Sequence, residues 1–169
     1  MTPMQTAERF TCFWRHREGA THAECSQFYP RPIRLEGLLF TTCEGWMHWR
    51  KALLFGDAAA AAAILAEPAP FKQKALGHTV ADFQPDAWAA VARNVVFRGN
   101  LAKFSQHPDL LDRLRASCGT TLVEAAPDDT VWGIGLAAED PLAAARATWR
   151  GTNWLGEVLT EVRVALCGS

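Results

Sequence analysis

At Thr42 the chain changes period, and that change commits it to a mixed fold. Upstream, short apolar runs separated by polar loops have strand character: Phe10–Trp14, then Ile33–Leu35 and Leu38–Phe40, turning at Glu36-Gly37 as a hairpin. From Thr42 to about Phe55 the apolar residues recur at helical spacing, and Asp57 is placed to cap an alanine-rich helix ending near Pro68. Pro85 opens a helix from Asp86 to about Gly99, and a further helical stretch beginning near Asn100 or Ser105 runs toward Gln106. His107-Pro108-Asp109 then starts an amphipathic segment carrying Leu110, Leu111 and Leu114. Leu122-Val123 has the character of a short buried strand, and Thr152 or Asn153 is placed to cap a final helix. The expected fold class is α+β, a helix-rich single domain with a small β-sheet. A length of 169 residues with 49% apolar content suits one such core across residues 1–169, with 1–9 expected to be flexible.

Composition excludes several classes of partner. With 17 basic and 18 acidic residues the net charge is −1, so no global field draws the chain to nucleic acid or membrane, and any phosphate must be met locally. The stretch Met1–Arg9 lacks a long apolar core, and no run of about 18 apolar residues occurs, which predicts a cytoplasmic protein with no membrane partner. Five cysteines without CxxC spacing argue for reduced packing thiols rather than disulfides or a zinc site, and no metal or cofactor is expected. Oligomeric state is not written in the sequence.

Two loop segments concentrate polar and aromatic groups. Leu122–Gly135 sets Glu124, Asp128 and Asp129 beside Trp132-Gly133 and Gly135 around a Pro127-Asp128-Asp129 turn, where glycines allow a ligand close to the backbone. Trp149–Gly156 repeats the recipe, with Arg150 and a helix start at Thr152-Asn153 suited to a phosphate. Taken singly, each is also ordinary turn-and-cap punctuation.

Glu44, His48 and Lys51 stand at i, i+4 and i+7 and share one face of a helix otherwise crowded with Trp46, Met47, Trp49, Leu53 and Leu54. Ionisable groups held against an apolar wall have shifted proton affinities, the preparation for acid, base or nucleophilic work. The competing reading is a capping box, Thr41-x-x-Glu44, with Lys51 as a solvated charge. Lys103 and Gln106, and the basic end Lys74–His78, could reach a phosphate or simply face water.

Together these blocks resemble the NADAR family. The resemblance is carried by Ser26-Gln27-Phe28-Tyr29-Pro30, Cys43-Glu44-Gly45-Trp46-Met47, Lys51, Leu54-Phe55-Gly56-Asp57, Lys74-Ala75-Leu76-Gly77, Asn100–Phe104, Leu122–Ala125, Trp132–Leu136 and Trp149–Asn153, over nearly the whole chain. Such a resemblance implies cleavage of the N-glycosidic bond between a phosphorylated ribose and a base. Substrates in the family are ribosylaminopyrimidine phosphates of the riboflavin pathway or, in other members, ADP-ribosyl-guanine, which admits ADP-ribosylated nucleic acid as a partner. It matches Glu44 and Lys51 to the family's glutamate and helix lysine, and Trp132-Gly133 and Asn153 to loop positions lining sugar and base. The chain departs from the pattern at Gly45, where the family usually carries histidine.

Breaking a ribosyl C–N bond builds oxocarbenium character, so the site needs a carboxylate near the anomeric carbon and a proton for the leaving base. Glu44 is the expected carboxylate, with Glu124, Asp128 or Asp129 as the second; Asp128 and Lys51 complete the catalytic set. Lys51 admits a second route, attack on C1 with imine formation. Trp46, Trp132 and Gly133 would line the base and sugar, His48 and Glu124 would contact the substrate, and Arg150, Lys103 or the helix start at Asn153 would hold the phosphate. Gly45 also motivates a rival expectation, a weakened module that binds ADP-ribose or a nucleotide without cleaving it.

Overall fold

A computed structural model describes residues 8–17 and 19–168; most of the segment expected to be flexible, residues 1–7, lies outside them. Strand β1 (Phe10–Phe13) pairs in parallel with β4 (Thr121–Glu124), in a register that sets Phe13 against Glu124. Strands β2 (Ile33–Leu35) and β3 (Leu38–Phe40) form the expected hairpin, turning through positive φ at Glu36 and Gly37, the conformation of a two-residue primed turn. Among the described residues six α-helices follow the hairpin: α1 (Cys43–Leu54), α2 (Ala58–Ala66), α3 (Pro70–His78), α4 (Pro85–Gln106), α5 (Pro108–Arg115) and α6 (Trp154–Cys167). The α+β reading holds, and no helix among the described residues is long and apolar enough to cross a membrane.

Helix α1 is the axis of the molecule, clasped by α2, α3 and α4, while α6 lies across β4 and α4. Its apolar face buries Trp46, which packs edge-on to Phe40 and stacks on Trp49, above a core that includes Phe104, Leu122 and Leu159. Three sequence expectations change here. Helix α4 does not break near Gly99 but runs on to Gln106. A Cβ at Gly99 would lie 2.6 Å from Cδ1 of Trp46, so the glycine serves close helix approach, at a propensity cost of about 1 kcal/mol. The α1 cap is Thr42, whose Oγ1 accepts from the Gly45 N–H at 3.1 Å, whereas Thr41 donates to the Pro68 carbonyl. Glu44 therefore stands at the second helical position, and the capping box that would have consumed its carboxylate does not form.

The third change concerns α6. Asn153 occupies its N-cap position at φ 55°, yet its side chain makes no cap hydrogen bond. Its Oδ1 accepts from the Glu124 N–H at 2.9 Å and its Nδ2 donates to the Leu122 carbonyl at 3.0 Å, so the amide stitches the helix start to β4. The stitch fixes the end of the strand that carries Glu124.

Candidate functional site

A cleft of two adjoining chambers opens between α1, α3, the start of α4 and the loop after β4. The larger, about 900 Å³, is lined by Glu44, His48, Lys51, His78, Phe83, Trp88, Trp132 and Trp154 among others. The smaller, about 370 Å³, carries Arg15, His16, Phe71 and Asp128. Ser26, Phe28, Lys74, Glu124 and Asp129 border both.

The α1 stripe points into the larger chamber because three residues spaced i, i+4 and i+7 stay on one helical face. All three are at least nine-tenths buried. Glu44 Oε1 lies 2.9 Å from His48 Nε2. The other ring nitrogen, Nδ1, is buried without a hydrogen-bond partner among the described residues, so we assign the proton to Nε2, which then donates to the carboxylate. Lys51 Nζ donates to the Gly77 carbonyl at 2.8 Å and lies 4.1 Å from the Phe83 ring centroid. Burial pulls its pKa below that of an ordinary lysine.

Glu124 ends β4 at the junction of the chambers, with Oε2 shut from solvent and unpaired among the described residues. Burial first, then the negative charges of Asp129 and Glu44, push its pKa up to about 8, against a smaller opposing pull from Lys74. At neutral pH it is mostly a protonated acid. Asp129 Oδ1 accepts the N–H groups of Val131 and Trp132, which shapes the loop that presents Trp132 edge-on to Trp154.

Of the residues expected from sequence to contact a ligand, Glu44, His48, Lys51, Glu124 and Trp132 line the larger chamber and Asp128 the smaller. Others lie elsewhere. Trp46 is wholly buried, its Nε1 donating to the Val95 carbonyl at 2.8 Å. Lys103, also wholly buried, donates to the carbonyls of Glu24 and Ser26, so it props the loop bearing Phe28 rather than reaching a phosphate. Gly133 is packed under its own loop, where a Cβ would meet the Glu124 carbonyl at 2.9 Å, and Asn153 is the buried stitch already described. Arg150 is exposed and borders neither chamber. Lys74 and His78, the basic helix end singled out in the sequence, do border the cleft, whereas Phe28, Phe83 and Trp88 were not expected there because each sits in a turn or a helix end whose direction depends on distant packing. The one available signal was the aromatic pair Phe83 and Trp88 flanking the helix-opening Pro85.

Beside Gly45, the departure from the family pattern, the space is taken by Gln73 of α3. A Cβ at Gly45 would come within 2.6 Å of Gln73 Nε2, and that amide accepts from Thr42 Oγ1 and donates to the Glu67 carbonyl. A larger residue at position 45 would need Gln73 to move.

The chain is similar to several known proteins. The chain is 43% identical over 131 residues to the protein irg-1 of Caenorhabditis elegans, covering 76% of this chain and 62% of that protein. It is 40% identical over 124 residues to an N-glycosidase of Acanthamoeba polyphaga mimivirus, covering 73% of each. The solution structure of the E. coli protein YbiA superposes with a TM-score of 0.76 at 25% identity, covering 95% of this chain and 86% of that one. The family model described as NADAR domain matches residues 12–167, and the chain belongs to the NADAR family.

Proposed function

We propose that the chain is a hydrolase of N-glycosyl compounds, cleaving the bond between a phosphorylated ribose and a base. The observation that carries this reading is the convergence of Glu44, Lys51 and Glu124 on one cleft, the first held by His48 and the last kept protonated by its surroundings. Glu124 gives its proton to the departing base nitrogen as the C1–N bond breaks. Glu44 stabilises the oxocarbenium charge on the ribosyl carbon and takes a proton from the attacking water, whose oxygen bonds to C1. The aromatic wall of Phe83, Trp88, Trp132 and Trp154 suits a planar base. With Lys103 and Arg150 outside the cleft, Arg15, Arg17 and Lys74 of the smaller chamber are the described cations placed to meet a phosphate.

Lys51 favours a second chemical route. Its amine, with a pKa lowered by burial, attacks C1 as the C1–N bond breaks and the base leaves with a proton from Glu124; the C1–ring-oxygen bond then opens, the amine nitrogen's proton passing to that oxygen, and water hydrolyses the resulting imine to free the sugar and the lysine. Borohydride added during turnover traps that imine as a stable sugar adduct on Lys51; the water route leaves no adduct.

The pathway-level reading draws on relatives: the mimivirus protein is named an N-glycosidase, and a maize riboflavin biosynthesis protein is 33% identical over 82 residues, spanning 11% of its length. Base release from ribosylaminopyrimidine phosphate and from ADP-ribosylated guanosine, followed by chromatography, tests the activity and ranks the two substrates. Tight calorimetric binding of ADP-ribose without release from either substrate would instead support the binding-module reading that Gly45 motivates. A cytoplasmic location, expected from five cysteines without disulfide or zinc-site spacing, is part of this proposal.

A further inference from the structure

Gly77 stands in the last turn of α3, where alanine is the better helix former. Two contacts account for its presence. A Cβ at this position would lie 1.9 Å from His48 Nδ1, 2.3 Å from Cγ and 2.7 Å from Cε1, so the imidazole rests directly on the glycine Cα. The carbonyl of the same residue accepts from Lys51 Nζ at 2.8 Å. It is available because the chain leaves the helix: the Ala81 N–H, which would bond it in a continued helix, goes to Asp57 Oδ2 at 3.0 Å. The partial negative charge of a helix C-terminus thus faces the amine.

We infer that Gly77 is the positioning residue of the cleft, one backbone unit that sets both the His48–Glu44 pair and the Lys51 amine. Its catalytic consequence rests on the glycosidase reading; its geometric content does not. The imidazole can reach Glu44 from its seat on Gly77 only while that Cα carries no side chain. Adding a methyl pushes the ring off Glu44 and, through the same turn, shifts the acceptor of Lys51.

The test is a cycle of Gly77→Ala, His48→Ala and the double variant, read by kcat and KM for base release, by thermal unfolding, and by NMR titration of Lys51 in protein carrying isotope-labelled lysine. Gly77→Ala is expected to lower kcat on the order of 100-fold, the scale of a catalytic group displaced by about 1 Å, with a small change in KM. It also moves the Lys51 titration. Gly77→Ala lowers the thermal midpoint in the wild-type background but is neutral or stabilising once His48 is alanine, because the clash is gone and alanine is the better helix former. A merely structural glycine would give the same loss in both backgrounds and leave the Lys51 titration alone; that outcome, or turnover within about twofold of wild type, overturns the inference. If the wild type releases no base, the glycosidase reading fails, while the unfolding cycle and the lysine titration still decide the role of Gly77.

Discussion

Helix α1 and the segments between Leu122 and Asn153 both looked suited to a ligand, and they contribute differently. The helix delivers Glu44, His48 and Lys51 together into the larger chamber. The loop spends Gly133 and Asn153 on holding itself together and contributes Glu124, Asp129 and Trp132 at its edges. One region exposes chemistry on a rigid support; the other is largely the support. Substitutions in α1 should therefore cost activity more than stability, and substitutions at the buried loop positions should cost stability more than activity.

The largest separation is expected at Lys51. Lys51→Ala should lower kcat by at least about 100-fold, the lower range for loss of a positioned acid, base or nucleophile. Because a partly desolvated cation is removed, its urea midpoint should stay near that of the wild type or rise; a fall in midpoint matching the fall in activity would break the contrast.

Asn153→Ala should do the reverse. It leaves the Glu124 N–H and the Leu122 carbonyl without their partners and puts alanine at φ 55°, a combined loss of about 3 kcal/mol in urea unfolding. The fraction still folded should retain most of its kcat. Loss of turnover in fully folded protein would give Asn153 a role beyond the stitch.

Glu124 sits where the two regions meet, and pH separates its contributions. Its folded-state pKa of about 8 lies above the ordinary carboxylate value, so the folded protein holds a proton that the unfolded chain releases. The stability it contributes is fully present below the unfolded pKa and is lost as pH rises through about 8. Thermal midpoints of the wild type should fall across that window, while Glu124→Gln should be flatter. The same substitution should remove a basic limb near pH 8 from kcat/KM if the carboxyl is the proton donor.

Arg150→Ala is the smallest effect expected. The side chain is exposed and borders neither chamber, so stability should stay within about 0.5 kcal/mol and KM should not move. A raised KM for a phosphorylated substrate would return Arg150 to the site.

The contrast also explains what could be read in the chain beforehand. The i, i+4, i+7 stripe is set by helical geometry alone, so Glu44, His48 and Lys51 were legible from spacing. Helices α1, α2 and α5, the Glu36-Gly37 hairpin and the Asp57 cap were legible for a similar reason, since turn and cap chemistry acts within a few residues. Residues whose role is set by a distant neighbour were not. Nothing near Gly99 announces that the Trp46 ring fills its missing side chain, and nothing near Lys103 announces the carbonyls of Glu24 and Ser26. The shift from Thr41 to Thr42 as the α1 cap is a single-residue difference, yet it leaves the Glu44 carboxylate free of the capping box.

The proposed cleavage of an N-glycosidic bond by the α1 face is decided first at Glu44, with the variant Glu44→Gln. Base release from the better of the two ribosylated substrates should be measured under single-turnover conditions for wild type and variant, with folding checked by circular dichroism. A folded variant slowed by about two to four orders of magnitude is expected. Release at the wild-type rate would contradict the proposal and remove Glu44 from the chemistry.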